Sequence, residues 1–285
     1  MMTTMAAMGL AASLALTQQA TDTTFAVAAG ARLQVENFAG EVRVGAWDRN
    51  AVRVRAEHGS TDRIEIEPSA SLVRVRARAE HGPPPIVNLE LTIPKRMSLD
   101  LNAPFSDVIV QGTEGEVGVQ SVEGAITVIG GRGFVSVQSV EGAVRVEGSR
   151  GRVRINSVDE DVQIVRVTGE VFVQAIDGNV TLEGIDSDHV EASSVDGSIE
   201  YHGTIKDGGR YRFTTHDGDI LLSVPPNVNA QITVATFSGE FESDFPVVLK
   251  DTGRGKRFSF VLGSGSAQVE LQAFDGTIQL QRSRR

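Results

Sequence analysis

SVEGAITV at 121–128, SVEGAVRV at 139–146, SVDEDVQI at 157–164 and AIDGNVTL at 175–182 are copies of one phrase, repeated every 18 residues. The interval then stretches, with SVDGSIEY from 194, THDGDILL from 215, TFSGEFES from 236 and AFDGTIQL from 273, and a weaker early copy, NFAGEVRV, begins at 37. Half a period away runs a second series: EGEVGVQ from Glu114, RGFVSVQ from Arg132, RGRVRIN from Arg150 and TGEVFVQ from Thr168. Each 18-residue unit therefore holds two short strands and two glycine-marked turns.

Within each strand the apolar residues alternate, as a half-buried strand requires. Val117 and Val119 recur as Val135 and Val137, Val153 and Ile155, Val171 and Val173; Ile126 and Val128 recur as Val144 and Val146, Val162 and Ile164, Val180 and Leu182. A sandwich of hairpins also alternates, but nothing in it repeats residue type at a fixed long interval. Coils stacked about 4.8 Å apart do, because equivalent residues lie over one another. Propeller blades need about 40 to 45 residues. The expectation is an all-β, single-domain parallel β-solenoid of about 18 residues per regular coil, right-handed by the preference of parallel crossovers, with wider coils at both ends. The glycines at 124, 142, 178, 197, 218, 239 and 276 follow a small acidic or polar residue, the pairing of a turn that needs positive φ; Glu160 stands in that place in one coil.

Outside the repeats the chain is less regular. AVRVRAEHG and SLVRVRARAEHG read as strands with an Arg-rich outer side, Pro83-Pro84-Pro85 interrupts them, and VNLELTIP resumes the alternation. IPKRMSLDLNAPFSDVIV from 93 matches SVPPNVNAQITVATFSGEFES from 223 in running Pro, loop, strand, turn, strand. The chain accordingly divides into an export signal over 1–22, irregular opening coils over 23–111, regular repeats over 112–203, and wider closing coils with a basic tail over 204–285. The Arg-rich opening strands and the closing QRSRR are expected to cover the solenoid ends.

The export reading rests on Ala6 to Leu16, an apolar run too short to cross a bilayer but suited to a signal peptide, although no Lys or Arg precedes it and Gln18 is a poor fit to cleavage after Ala20. The expected location is extracytoplasmic: periplasmic, cell-surface or secreted. A formal charge of −10 and a sequence with no cysteine exclude a broad nucleic-acid footprint, a disulfide framework, a thiolate metal site and a lipid-anchored lipoprotein. No later segment has the length and apolarity of a transmembrane helix.

The opening VENFAGEVRVGAWDRNAVRV, the Ile-Pro and Val-Pro loops, the serial SVEG/SVDG turns and the final VLGSGSAQVELQAFDGTIQL together resemble the bacterial β-strand-repeat family of unknown function labelled "putative adhesins". The resemblance covers about residues 25 to 280. It implies an exported, single-stranded β-helix without established catalytic residues. Its motifs are turn and strand patterns, so they bear on fold and hardly on activity.

The candidate chemistries are few. GGRGFVSVQ from 130 has the look of a calcium-binding nonapeptide, but Val135, and Val153 in the next copy, stand where the Asp ligand belongs. Glu123, Glu141, Asp159 and Asp177 should stack in one column, joined by Asp196, Asp217 and Asp275; like charges so placed invite a cation unless they face water, which is the reading preferred. Gln120, Gln138, Asn156 and Gln174 form an amide column expected to hydrogen-bond as a ladder between coils. Asp186, Asp188 and His189 in GIDSDHV, where the repeat slips, are the best place for a carboxylate pair of the glycoside-hydrolysing kind, yet their composition is that of an ordinary loop. The five histidines never take a metal-binding spacing, and the phenylalanines gathered in the last 50 residues either fill wider coils or make an apolar contact surface. No catalytic, cofactor-binding or metal residue is assigned. The function expected is a non-catalytic, exported adhesion or interaction scaffold with a protein or glycan partner at the cell envelope. A polysaccharide-processing β-helix enzyme using Asp186 and Asp188 is the alternative, and a polymerising filament element, self-associating through the solenoid ends, the second.

Overall fold

The computed structural model describes residues 19–69, 71–247 and 256–283, so the apolar run of the expected leader lies outside the described residues. What is described is all β. Two sheets of thirteen strands each face one another, and from Ser98 to Ser243 the chain passes from one to the other at every half-coil. In the body of the molecule the register is the one the repeat demands. Val117, Val135, Val153, Val171, Val190 and Tyr211 are successive parallel partners in one sheet. Val108, Ile126, Val144, Val162, Val180, Ile199 and Ile220 are partners in the other.

The reason is the pairing of two periods. Period-two alternation sends Val135, Val137, Val144 and Val146 into the space between the sheets, where each is at most 1% exposed. The coil period then sets β-branched side chains over β-branched side chains, so like shapes pack on like along the narrow core. Burial of each such Val contributes about 1.5–2 kcal/mol relative to exposure.

At both ends the coils leave chain order. The strand Arg32–Glu36 pairs in parallel with Leu72–Ala79 on one side and with Ser98–Asn102 on the other. The coil built from Leu72–Ala79 and Ile86–Pro94 is therefore outermost, and the chain must step over the earlier coil to reach Ser98. At the far end Ile220–Val224 pairs with Thr277–Arg282, while the next strand in sequence, Ala230–Thr236, lies outside Ala267–Asp275. The last coil is thus inserted beneath the one that precedes it. The two Pro-containing loops that match in sequence, after Ile93 and after Val224, are the two places where the chain makes this jump. Proline suits them because the residue before it is held extended and the strand ladder loses its donor there.

Antiparallel strands finish the stack: Gln19–Ala26 on Ala51–His58, Asp62–Pro68 on Leu72–Ala79, and Lys256–Leu262 on Ala230–Thr236. Gln19–Asp22, the end of the expected leader, are the first residues of an edge strand, and the bidentate Arg53 to Asp22 contact at 2.9 and 2.7 Å ties that strand down. The Arg53 guanidinium holds the Asp22 carboxyl below its usual range. Thr277–Arg282 is flanked on both sides by other strands, so the cover at the closing end is Lys256–Leu262 and Glu240–Ser243, and Gln281 and Arg282, which begin QRSRR, are not in the outer layer; the last two residues lie outside the described ones.

Candidate functional site

The turn phrase that repeats most faithfully builds one long corner of the solenoid. Ten hexapeptides line it, in spatial order 36–41, 102–107, 120–125, 138–143, 156–161, 174–179, 193–198, 214–219, 272–277 and 235–240. In each, period-two alternation continues one step past the strand. The residue after the amide column turns inward and is buried: Ser121, Ser139, Ser157, Ala175, Ser194 and Thr215 are 2–6% exposed. Their hydroxyls donate to turn carbonyls, as in Ser121 to Ala103 at 2.9 Å, Ser139 to Gly142 at 3.1 Å and Thr215 to Gly197 at 3.0 Å, so small polar residues satisfy a corner that the core cannot fill.

The residue after that points out, and here it is apolar in every coil but the one that carries His216. Phe38, Pro104, Val122, Val140, Val158, Ile176, Val195, His216, Phe274 and Phe237 follow one another up the corner, with Phe105 beside Pro104. Eight of the eleven exposed large apolar side chains among the described residues belong to this corner. Aromatic rings close both ends of the spine: Phe38 and Phe105 are 5.0 Å apart, and His216, Phe274 and Phe237 stack at 4.7 Å between successive centroids. Ten coils at about 4.8 Å give a spine about 43 Å long. Backbone bonds fix it, such as Glu141 N–H to Val122 O at 2.6 Å and Asp177 N–H to Val158 O at 2.7 Å.

Two columns flank the spine. On one side Glu123, Glu141, Asp159, Asp177, Asp196, Asp217 and Asp275 stand in register, and all but half-buried Asp159 are exposed. On the other, Gln120, Gln138, Asn156 and Gln174 also stack in register. No side-chain hydrogen bond joins these four to one another among the described residues, so the amide ladder expected from sequence does not form. The amides line an open groove of about 620 Å³ against Val122, Val140, Val158 and Ile176. The groove escapes a reading that ends each strand at Gln120 or its equivalents; counting the alternation two residues further finds it.

The glycine that closes each turn packs on the coil beneath. A Cβ on Gly142 would sit 2.2 Å from the Gly124 carbonyl oxygen, and one on Gly197 2.2 Å from that of Gly178. Glu160, which stands in this column, takes φ = 76° in place of the wider values of its glycine neighbours.

The other candidates are dispersed. Asp186 and Asp188 are both exposed, with Ser187 fully buried between them, and Asp186 is held by Lys206 at 2.8 Å. Next to them burial raises the phenol pKa of Tyr201 and of Tyr211; their hydroxyls donate to Thr204 O at 2.7 Å and Ser187 O at 2.6 Å. A carbon on Gly203 or Gly209 would strike these rings at 2.6 or 2.7 Å, so this slip in the repeat is the room that two tyrosines need, one in each sheet, in columns otherwise held by Val, Ile and Leu. His189 packs on Phe172 at 5.1 Å and His58 bonds Thr21 Oγ1 at 3.0 Å. No group of three His, Asp or Glu side chains is disposed to hold a metal ion among the described residues. The phenylalanines divide: Phe241, Phe258 and Phe260 cluster at 5.0–6.4 Å against the closing core, while Phe237 and Phe274 belong to the spine.

These features define a class: a two-sheet parallel solenoid whose one continuous apolar feature outside the core runs along a corner. The family model of Toastrack DUF4097 matches residues 13–281, and the chain belongs to that family, one of unknown function. Among solved structures it is similar to a "putative cell adhesion protein" from Clostridium sporogenes ATCC 15579, at 9% identity and a TM-score of 0.28 over 93% of this chain and 100% of that one. It is similar also to a "putative adhesin" from Parabacteroides distasonis ATCC 8503, at 10% identity and a TM-score of 0.26 over 93% of this chain and 97% of that one. No curated protein matches the chain. No helix among the described residues is long and apolar enough to cross a membrane.

Proposed function

We propose that the protein is a non-catalytic, extracytoplasmic interaction scaffold and that the corner spine is the surface it presents to a protein partner. One observation carries the reading: an outward line over ten coils that is apolar in nine of them, broken by His216 and half-buried at Pro104 and Val158. Contiguous exposed apolar surface of this extent marks interaction sites. Its geometry is also held constant. A seven-residue step takes the chain from the last inward residue of one sheet to the first of the other at this corner in ten of the eleven coils, from Val35 to Val42 up to Val234 to Phe241; the outermost opening coil, Val75 to Leu89, takes fourteen. The leader-like Ala6 to Leu16 and the lack of cysteine support a site of action outside the cytoplasm.

The test places a photo-crosslinking residue at Val140, at Phe274 and, as a control, at exposed Phe134 on the other corner, in cells, and sequences the mature N-terminus of the recovered protein. Adducts of one discrete mass from Val140 and Phe274 and not from Phe134, lost in an Ile176→Asp background, are the expected result. Equal adducts from all three positions, or a cytoplasmic protein with its first 20 residues intact, overturn it. The carboxylate-pair enzyme gains nothing from a geometry in which Asp186 is neutralised by Lys206 on an open surface; turnover of a glycan panel that Asp186→Asn and Asp188→Asn abolish would reinstate it.

A further inference from the structure

We infer that the spine takes a partner protein's amphipathic helix that carries Lys or Arg along one flank, an inference that rests on the scaffold reading and names its occupant. Charge gives the first argument. Every one of the ten corner hexapeptides contains a carboxylate and none contains a Lys or Arg, in a chain with 27 of them. Arg132, Arg150, Arg152, Arg166, Lys206 and Arg210 stand instead at the opposite corner, while at the opening end of the spine Arg76 and Arg78 of the outermost coil hold Glu36 at 3.1 and 3.6 Å. A ligand lying on the spine therefore meets a row of carboxylates on one side and neutral, unpaired amides on the other, and a row of ammonium or guanidinium groups on one flank complements it.

Pitch gives the second. Apolar positions repeat about every 4.8 Å along the spine, whereas same-face residues of an extended strand laid along it would fall about 6.8 Å apart. The a and d positions of a helix average about 5.2 Å apart along its axis, close enough to stay in step over several coils, and about 28 helical residues span the whole spine. A helix also satisfies its own backbone, which suits a groove whose spine carbonyls are engaged by the next coil. A second copy of this chain is the poorer occupant: antiparallel apposition of two spines sets carboxylate column against carboxylate column, in a chain of charge −10.

The probe is a synthetic 28-residue helix with Leu at a and d, Lys along one flank and Gln elsewhere, compared by fluorescence anisotropy with a scrambled isomer and with a version bearing Glu for Lys. The Lys helix should bind the full chain at least about tenfold more tightly than either control, and weaken about tenfold as salt rises from low to high ionic strength. Val140→Asp with Ile176→Asp should abolish binding, and Glu141→Gln with Asp177→Asn and Asp196→Asn should weaken it and flatten its salt dependence. Equal binding of the scrambled isomer, equal binding of the Glu version, or sedimentation that shows the spine occupied by a second copy overturns the inference. If the Lys helix fails while Val140 and Phe274 still give discrete adducts in cells, the inference falls and the scaffold reading stands; if both fail, both fall.

Discussion

The two corners of the solenoid are built by the same rules and used differently. Each has a buried small residue and a glycine pressed on the coil beneath, as Gly142 on Gly124 at the spine corner and Gly151 on Gly133 opposite. Yet from Arg32–Glu36 onward every change in coil length falls at the opposite corner; the exception is the outermost opening coil, where the equivalent span at the spine corner is fourteen, from Val75 to Leu89. The span from inward residue to inward residue there is seven from Val128 to Val135, eight from Leu182 to Val190 and ten from Tyr201 to Tyr211, and both coil-skipping Pro loops lie there too. Insertions that the fold tolerates at one corner are absent from the ten turns of the other that line the spine. Stability alone does not impose that asymmetry, because surface loops absorb extra residues at small entropic cost; a straight spine does.

The largest predicted effect is steric, and it separates a glycine pressed on the coil beneath from one that stands in open space. Gly197→Ala puts a methyl group 2.2 Å from a backbone oxygen at φ = 144°, where neither chain can give way without parting the coils, so a loss on the order of 4 kcal/mol or more is expected in denaturant unfolding. Gly148, at the opposite corner, has φ = 67° and open space around its Cβ position, so Gly148→Ala should lose only the left-handed penalty of about 1–2 kcal/mol. Equal losses would show that the carbonyl of Gly178 does not crowd Gly197 more than solvent crowds Gly148.

Next in size is the alkaline response of the opposite corner. Burial raises the pKa of Tyr201 and of Tyr211, so their phenols stay neutral in the fold while an unfolded chain ionises them near pH 10. Stability from this source is complete below that value and is lost as pH rises through it toward the raised folded value, at up to about 1.4 kcal/mol per pH unit for Tyr201. Unfolding free energies measured from pH 8 to 11.5 should fall more steeply for the native chain than for Tyr201→Phe. A parallel course for the two would mean that the phenol is not held neutral by its surroundings.

How much of this was legible from the residues follows from what repetition can encode. Identical phrases at 18-residue spacing require identical environments one coil apart, so the parallel register, the inward Val columns and the glycine turns could be read directly. The loop character of Asp186 to Asp188 could be read too, from the slip in the count. The order of coils at the ends could not, because a strand such as Arg32–Glu36 pairs equally well with Leu72–Ala79 above or Ser98–Asn102 below, and only the jumps after Ile93 and Val224 decide which. The amide ladder failed for another reason: stacked register brings Gln120 over Gln138 but does not oblige their side chains to bond when water competes. Val122 and its equivalents were overlooked because a turn was taken to begin where the strand ended, although alternation ran on through Ser121.

Within the spine corner itself, Glu160 is the coil out of step. A side chain held at φ = 76° carries the left-handed penalty, so Glu160→Gly should stabilise the protein by about 0.5–1 kcal/mol after the added flexibility of glycine in the unfolded chain is subtracted. A thermal melt with no gain would mean that the Glu160 side chain contributes to the turn what its backbone costs it.

The smallest expected effect sharpens the comparison most. Val137 and Val140 are three residues apart in one turn of one coil, the first fully buried and the second 38% exposed. Val137→Ala leaves a hole between two sheets and should cost about 2 kcal/mol or more, whereas Val140→Ser removes a side chain that rests on water and should change stability by less than about 0.5 kcal/mol. If the spine exists to hold coils together, the two losses will be comparable, since each coil would rely on its neighbour's Val as it relies on the core. If it exists to be covered by another molecule, Val140→Ser will leave the melt unchanged and weaken the adduct formed from the probe at Phe274. The same pair of measurements at Val173 and Ile176 repeats the test two coils further along, and agreement between the two pairs would assign the property to the column as a whole.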